Sequence, residues 1–162
     1  MSAPAEIRPR SRGQLANDAW EALLTAHAAL MKRFAAEEVW RELSMREYDV
    51  LYTLSKCSGP LRLSELNRHV LLSQPALSRM IERLVERGLI ARTTDPADGR
   101  GVLLSLTDAG RSRQRGVGGR HGVSVARTVS AALDPDELSQ LETLCRKLAV
   151  SQGAYSPGDS TS

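Results

Sequence analysis

Leu77-Ser78-Arg79-Met80-Ile81-Glu82-Arg83-Leu84-Val85-Glu86-Arg87-Gly88-Leu89-Ile90-Ala91-Arg92, then Asp95-Pro96-Ala97-Asp98-Gly99-Arg100 and Val102-Leu103-Leu104-Ser105-Leu106-Thr107, carries the pattern of a helix followed at once by a hairpin. Leu77, Met80, Ile81, Leu84 and Val85 recur at three- and four-residue steps and so line one face of a helix. Gly88 falls where a left-handed C-terminal cap is expected. Gln74, Ser78, Arg79 and Arg83 point elsewhere and give this helix a polar, basic outer face. Residues 90–94 and 102–106 then read as two short strands, and the Pro and Gly residues of 95–101 make the link a hairpin loop.

Just before this run, Leu63-Ser64-Glu65-Leu66 starts a shorter helix with Ser64 as its cap, running to about Leu71 before Ser73 opens the next. Upstream, Ser44-Met45-Arg46-Glu47 reads as a capping box; Tyr48, Leu51, Tyr52 and Leu54 follow until Ser58-Gly59-Pro60 stops the helix. From Ser11 to Trp40, Leu15, Trp20, Leu23, Leu24, His27, Leu30, Met31 and Phe34 mark one long amphipathic helix. Downstream, Thr107-Asp108 begins a helix running to about Ala132, and Asp134-Pro135-Asp136-Glu137 begins a last one. Gly116, Gly118, Gly119 and Gly122 each cost about 1 kcal/mol relative to Ala, so a kink, fraying or a break is expected there. The fold class is therefore mainly α with a small β-hairpin wing. A single domain spans 11–151, with a helix-turn-helix and wing over 44–107 and helical regions over 11–40 and 108–150. The tails 1–10 and 152–162 are expected to be disordered.

The chain has 162 residues, of which 41% are apolar, enough for one domain with a real core. No run approaches the ~20 apolar residues of a membrane span, and the start lacks a secretory signal, so a cytoplasmic protein without a membrane partner is expected. Cys57 and Cys145 stand apart without metal-ligand spacing, so neither a disulfide framework nor a metal site is implied. The net charge is only +3, but between Arg62 and Arg115 ten Arg face six acids. Arg suits phosphate and guanine, although a chain whose only lysines are Lys32, Lys56 and Lys147 favours Arg throughout. Asp95 with Asp98, or Ser73 with His69 and Asp49, form no credible catalytic set, because each has an ordinary helical or turn role. There is no Gly-rich phosphate loop either, so no enzyme and no cofactor are expected.

Two short helices, a tight turn, a basic-faced helix and a hairpin suit the grooves of double-stranded DNA. Gln74 matches adenine, Arg79 or Arg83 the N7/O6 edge of guanine, and Ser73 or Ser78 phosphate or base edges, while Arg100 on the wing suits a narrow minor groove. Blander roles stand beside these. Arg79 and Arg83 have Glu82 and Glu86 three residues on, and Arg87 and Arg92 flank the cap, where cations favour a helix C-terminus. Trp20, Tyr48 and Tyr52 read as core or as an aromatic effector pocket, and His27 as a core histidine, a pH sensor or a ligand contact. Cys57 reads as an inert thiol or a peroxide sensor, and Cys145 as packing.

The same residues resemble the MarR-type transcriptional regulators, over roughly Trp20 to Leu148 and most specifically in the run quoted first. The resemblance implies a winged helix-turn-helix between dimerising terminal helices, with Ser73 to Arg87 as recognition helix and Arg100 as the wing arginine, oriented by Asp98. It also implies an obligate homodimer, and the symmetry of a dimer makes a pseudo-palindromic operator expected, together with a repressor role and modulation by a small-molecule effector of aromatic kind or by an oxidant. The Gly116 to Gly122 stretch departs from the family's Ala- and Leu-rich fifth helix. A winged-helix module that docks another protein is the alternative from a different class.

Overall fold

Capping chemistry and apolar periodicity divide the chain much as its sequence suggests. The computed structural model describes residues 9–152, the Arg100 side chain excepted, in two units that divide after Glu37. Apart from residues 9, 10 and 152, the tails expected to be disordered lie outside the described residues.

The first unit is one helix, α1 (Arg12–Ala35). Ser11 Oγ accepts the Gln14 N–H at 3.2 Å while the Gln14 side chain accepts the Ser11 N–H at 2.8 Å, closing a capping box, and Lys32 and Arg33 suit the negative C-terminal end. Only Phe34 is buried; Leu15, Trp20, Leu24, His27 and Met31 are exposed, so neither Trp20 nor His27 is a core residue of this chain alone. The helix stops at Ala35, and the residues expected to extend it to Trp40 instead include a separate 3-10 turn, Glu38–Arg41, in the second unit.

In that unit α2 (Met45–Lys56) starts at the Ser44–Glu47 capping box and buries Tyr48, Val50, Leu51 and Leu54. A two-residue strand, β1 (Leu61–Arg62), leads into α3 (Leu63–Asn67). Arg62, not Ser64, holds the cap position of α3, and the helix ends four residues short of Leu71. Six linking residues later α4 (Gln74–Glu86) buries Leu77, Met80, Ile81 and Leu84. Its end is a Schellman motif: Gly88 takes φ 69°, its N–H reaches the Val85 carbonyl at 2.8 Å, and the Leu89 N–H reaches Leu84 at 2.9 Å.

β2 (Ile90–Asp95) and β3 (Asp98–Leu106) pair antiparallel from Ile90–Leu106 to Asp95–Asp98, so the loop expected over 95–101 narrows to residues 96–97. β1 adds to the far edge of β3, Leu61 opposite Leu104, giving the order β1-β3-β2. Two residues are too few to show a strand period, so β1 is absent from the sequence reading. The buried side chains of α2, α3, α4 and the sheet form one core with Val117 of α5 (Asp108–Ser130).

Thr107 ties these parts together. Its Oγ accepts the Gly110 N–H at 2.9 Å and donates to the Gly88 carbonyl at 2.6 Å, and its N–H reaches Leu89 at 3.2 Å. The break expected in α5 does not occur. Gly116, Gly119 and Gly122 face open space, so they lower helix stability without obstructing it, while buried Gln114 and Val117 hold the middle of the helix. α6 (Pro135–Ser151) starts on the Asp134–Glu137 capping box and has no buried residue. No helix among the described residues is long and apolar enough to cross a membrane.

Candidate nucleic-acid interface

The buried face of α4 fixes the direction of its other face. With Leu77, Met80, Ile81 and Leu84 inward, Ser73, Gln74, Arg79 and Arg83 are exposed and Ser78 half-buried. Ser73 occupies the N-cap position but makes no side-chain cap hydrogen bond. Pro75 stands in the first turn, where its missing N–H costs nothing. Arg79 and Arg83 form no ion pair with Glu82 or Glu86 among the described residues, so the local pairing open to them in sequence is not used. Arg87 differs. It reaches Glu47 Oε1 at 3.0 Å and the Glu42 carbonyl at 2.7 Å, clamping the end of α4 to the start of α2. Burial pushes the Glu47 carboxyl up, but the Ser44 N–H and hydroxyl and the Arg87 guanidinium outweigh it and hold the pKa below its ordinary value. Arg113 of α5 pairs with Glu42 at the same place.

Beside α4 the hairpin of β2 and β3 forms the wing. Its strand β3 carries the backbone of Arg100, whose side chain lies outside the described residues. Asp98, half-exposed, sits 3.6 Å from the Arg62 guanidinium. Asp95 is buried, and its pKa is held below the carboxylate range by the Ala97 N–H and by Arg62. Sequence reasoning missed Arg62. Its partner lies 33 residues away across an unforeseen strand, and no local spacing could signal that.

The four residues read as an effector pocket are divided between the two units, two in each. Tyr48 and Tyr52 stack with ring centroids 5.8 Å apart and line a cleft of about 520 Å³ between α2 and α5, together with Asp49, Gly118, His121 and Gly122. Trp20 and His27 belong to α1, the other unit. His121, absent from the sequence reading, lies 4.9 Å from the Trp40 ring and 5.9 Å from that of Tyr48. Burial raises the pKa of Tyr48, and raises that of Asp49 against the opposing effect of His121. A side chain at Gly118 would come within 2.9 Å of the Tyr48 hydroxyl, so glycine gives that ring its place. Cys57 caps α2 at its C-terminus with its half-buried thiol 3.4 Å from the Thr53 carbonyl; Cys145 is exposed on α6, not packed. No cluster of His, Cys, Asp or Glu that could hold a metal occurs among the described residues.

Comparison with known proteins bears on this arrangement. The MarR family model matches residues 43–102, which run from the residue before the α2 cap into β3. The multiple antibiotic resistance protein MarR of Salmonella typhimurium is 31% identical over 107 residues, 66% of this chain and 74% of its own. AbsC, a MarR family transcriptional regulator from Streptomyces coelicolor, is 26% identical with a TM-score of 0.71, over 91% of this chain and 99% of that one. A mutant MarR from E. coli, solved in complex with operator DNA, is 26% identical with a TM-score of 0.67, over 79% and 91%. An exposed basic helix face beside a wing, and relatives that share both its sequence and its fold, lead to one conclusion: the chain belongs to the MarR family of winged-helix transcriptional regulators, not to a family of enzymes.

Proposed function

We propose that this regulator is a homodimeric repressor that binds a pseudo-palindromic duplex operator and is retuned by a small aromatic effector. The observation that carries the DNA reading is the outer face of α4. Gln74, Arg79 and Arg83 are exposed, the two arginines are free of Glu82 and Glu86, and the opposite face is locked into the core. A helix so presented suits the major groove, with Arg79 or Arg83 toward guanine, Gln74 toward adenine, and Ser73 and Ser78 toward phosphate or base edges. Arg100 is assigned to the neighbouring minor groove, with Asp98 near it on the hairpin. The operator complex of the E. coli relative supports the partner.

Dimerisation is supported by α6. A 17-residue helix with no buried residue, exposing Leu141, Leu144 and Leu148, has apolar surface that a second copy would cover. The effector reading rests on the cleft of Tyr48 and Tyr52, whose volume fits a drug-sized aromatic molecule.

Fluorescence anisotropy on duplexes enriched by the protein from a random pool tests the reading. Affinity should fall steeply with salt, because bound cations release condensed counterions, and should resist unrelated competitor DNA. Arg79→Ala should lose about 1–3 kcal/mol and relax base preference at one position, whereas Arg100→Ala should weaken binding at the flanks. A protein that enriches no sequence, and whose weak binding ignores these arginines, would instead be a winged-helix protein-docking module.

A further inference from the structure

The side chain that fastens the wing comes from outside it. Arg62 ends β1, and its backbone N–H donates to Glu65 Oε2 at 2.7 Å, part of the cap that starts α3. Its guanidinium meets the hairpin turn. Nε donates to Asp95 Oδ2 at 3.0 Å, Nη2 donates to the same oxygen, and Asp98 stands 3.6 Å from Nη2. Asp95 uses its other oxygen, Oδ1, to accept the Ala97 N–H at 2.9 Å. One buried carboxylate thus closes the turn with one oxygen and joins it to the head of α3 with the other.

Gly101 leaves room for this clasp. A Cβ there would lie 3.1 Å from Asp95 Cβ, 3.2 Å from the Asp98 carbonyl oxygen and 3.4 Å from Arg62 Nη2. A two-stranded hairpin is marginal alone, and its pairing shifts register between Thr94 and Asp95, so its direction depends on what holds its tip. A planar guanidinium that donates through two nitrogens fixes direction in a way a flexible ammonium does not.

We propose that Arg62 is the positioning residue of the wing: by clasping Asp95 and Asp98 it sets the direction in which the β2–β3 hairpin, and the backbone at Arg100, approaches DNA, without itself touching phosphate. The proposal rests on the DNA-binding reading above and adds the residue on which the aim of the wing depends.

Charge and aim make opposite demands on Asp95. If only long-range electrostatics mattered, removing this negative charge beside the DNA-facing surface would tighten binding; if the clasp matters, binding weakens. Full-length Asp95→Asn, Arg62→Met, Arg62→Lys and the Asp95→Asn/Arg62→Met double variant are titrated on a duplex enriched by the parent, at several salt concentrations. Asp95→Asn and Arg62→Met should each lose about tenfold in affinity, and the double variant little more than either single one. Arg62→Lys should not restore binding, and Arg62→Met should keep the parent's slope of log affinity against log salt. Asp95→Asn binding as tightly as the parent, or more tightly, overturns the proposal. So does a slope reduced by about one in Arg62→Met, the mark of a lost phosphate contact. If Arg62→Met does not fold, Asp95→Asn decides, since it keeps the side chain's shape.

Amide hydrogen exchange in the free proteins, at a temperature where they remain folded, reads the clasp without DNA. Ala97 and its strand neighbours should exchange faster in both single variants than in the parent. Unchanged exchange in Asp95→Asn refutes the clasp on its own, whereas a parent that enriches no duplex refutes the regulator reading and leaves the exchange result standing.

Discussion

Asp49 and Asp95 hold their protons with opposite strength. Crowding by neighbouring atoms raises the pKa of Asp49 despite His121, whereas the Ala97 N–H and Arg62 lower that of Asp95. A carboxyl whose folded pKa lies above its unfolded value costs stability when ionised, and the cost disappears as pH falls through the folded value. Asp49→Asn should therefore raise the thermal midpoint at pH 7 and make little difference at about pH 3, below the ordinary aspartate value of about 3.9. Asp95 has the reverse sign. It stabilises the fold above its unfolded pKa and loses that contribution as pH falls through its lowered folded value, so Asp95→Asn should lower the midpoint at pH 7 and converge with the parent in acid. Calorimetry across that range separates the two.

At the scale of elements, the glycines of α5 divide into those with room and those without. A side chain at Gly110 would collide with the Leu89 backbone, while Gly116 has nothing within 4 Å. Gly110→Ala should cost at least about 2 kcal/mol in urea unfolding, since a backbone cannot move aside as a side chain can. Gly116→Ala should gain about 0.5–1 kcal/mol, because it loses less backbone entropy on forming helix. The same contrast separates what was legible in the sequence from what was not. Ser44 with Glu47, Asp134 with Glu137, and Gly88 act within four residues, so their roles are local chemistry and can be read directly. The exposed face of α4 follows from its apolar period. Ser64 looks like a cap from its residue type, but Arg62 has the Glu three residues on, and its cap position depends on β1, a strand formed only by pairing with β3. The unbroken α5 was hidden likewise, because its support comes from burial of Val117 and from the Thr107 cap bonded to Gly88. Of the pocket residues, Tyr48 and Tyr52 share a helix face and were legible as a pair, whereas His121 reaches them from a helix more than sixty residues later.

For the whole molecule, the unburied α6 is the feature that one chain does not account for. If it closes against a second copy, Leu144→Glu should place a charge in that contact and shift the protein from dimer to monomer in sedimentation equilibrium, with operator affinity falling because two half-sites are no longer held together. A parent that sediments as a monomer at micromolar concentration would remove the dimer from the proposal. The wing, α4 and α5 meet at one knot, where Thr107 binds Gly88 and Gly110 passes against Leu89. A builder of chimeras who wishes to transplant this winged-helix head onto another regulator's body therefore cannot cut at the end of β3, where the secondary structure invites the cut. The portable cassette runs past Thr107 to include Gly110, because a recipient helix with any side chain at that position would pry the head off its mount.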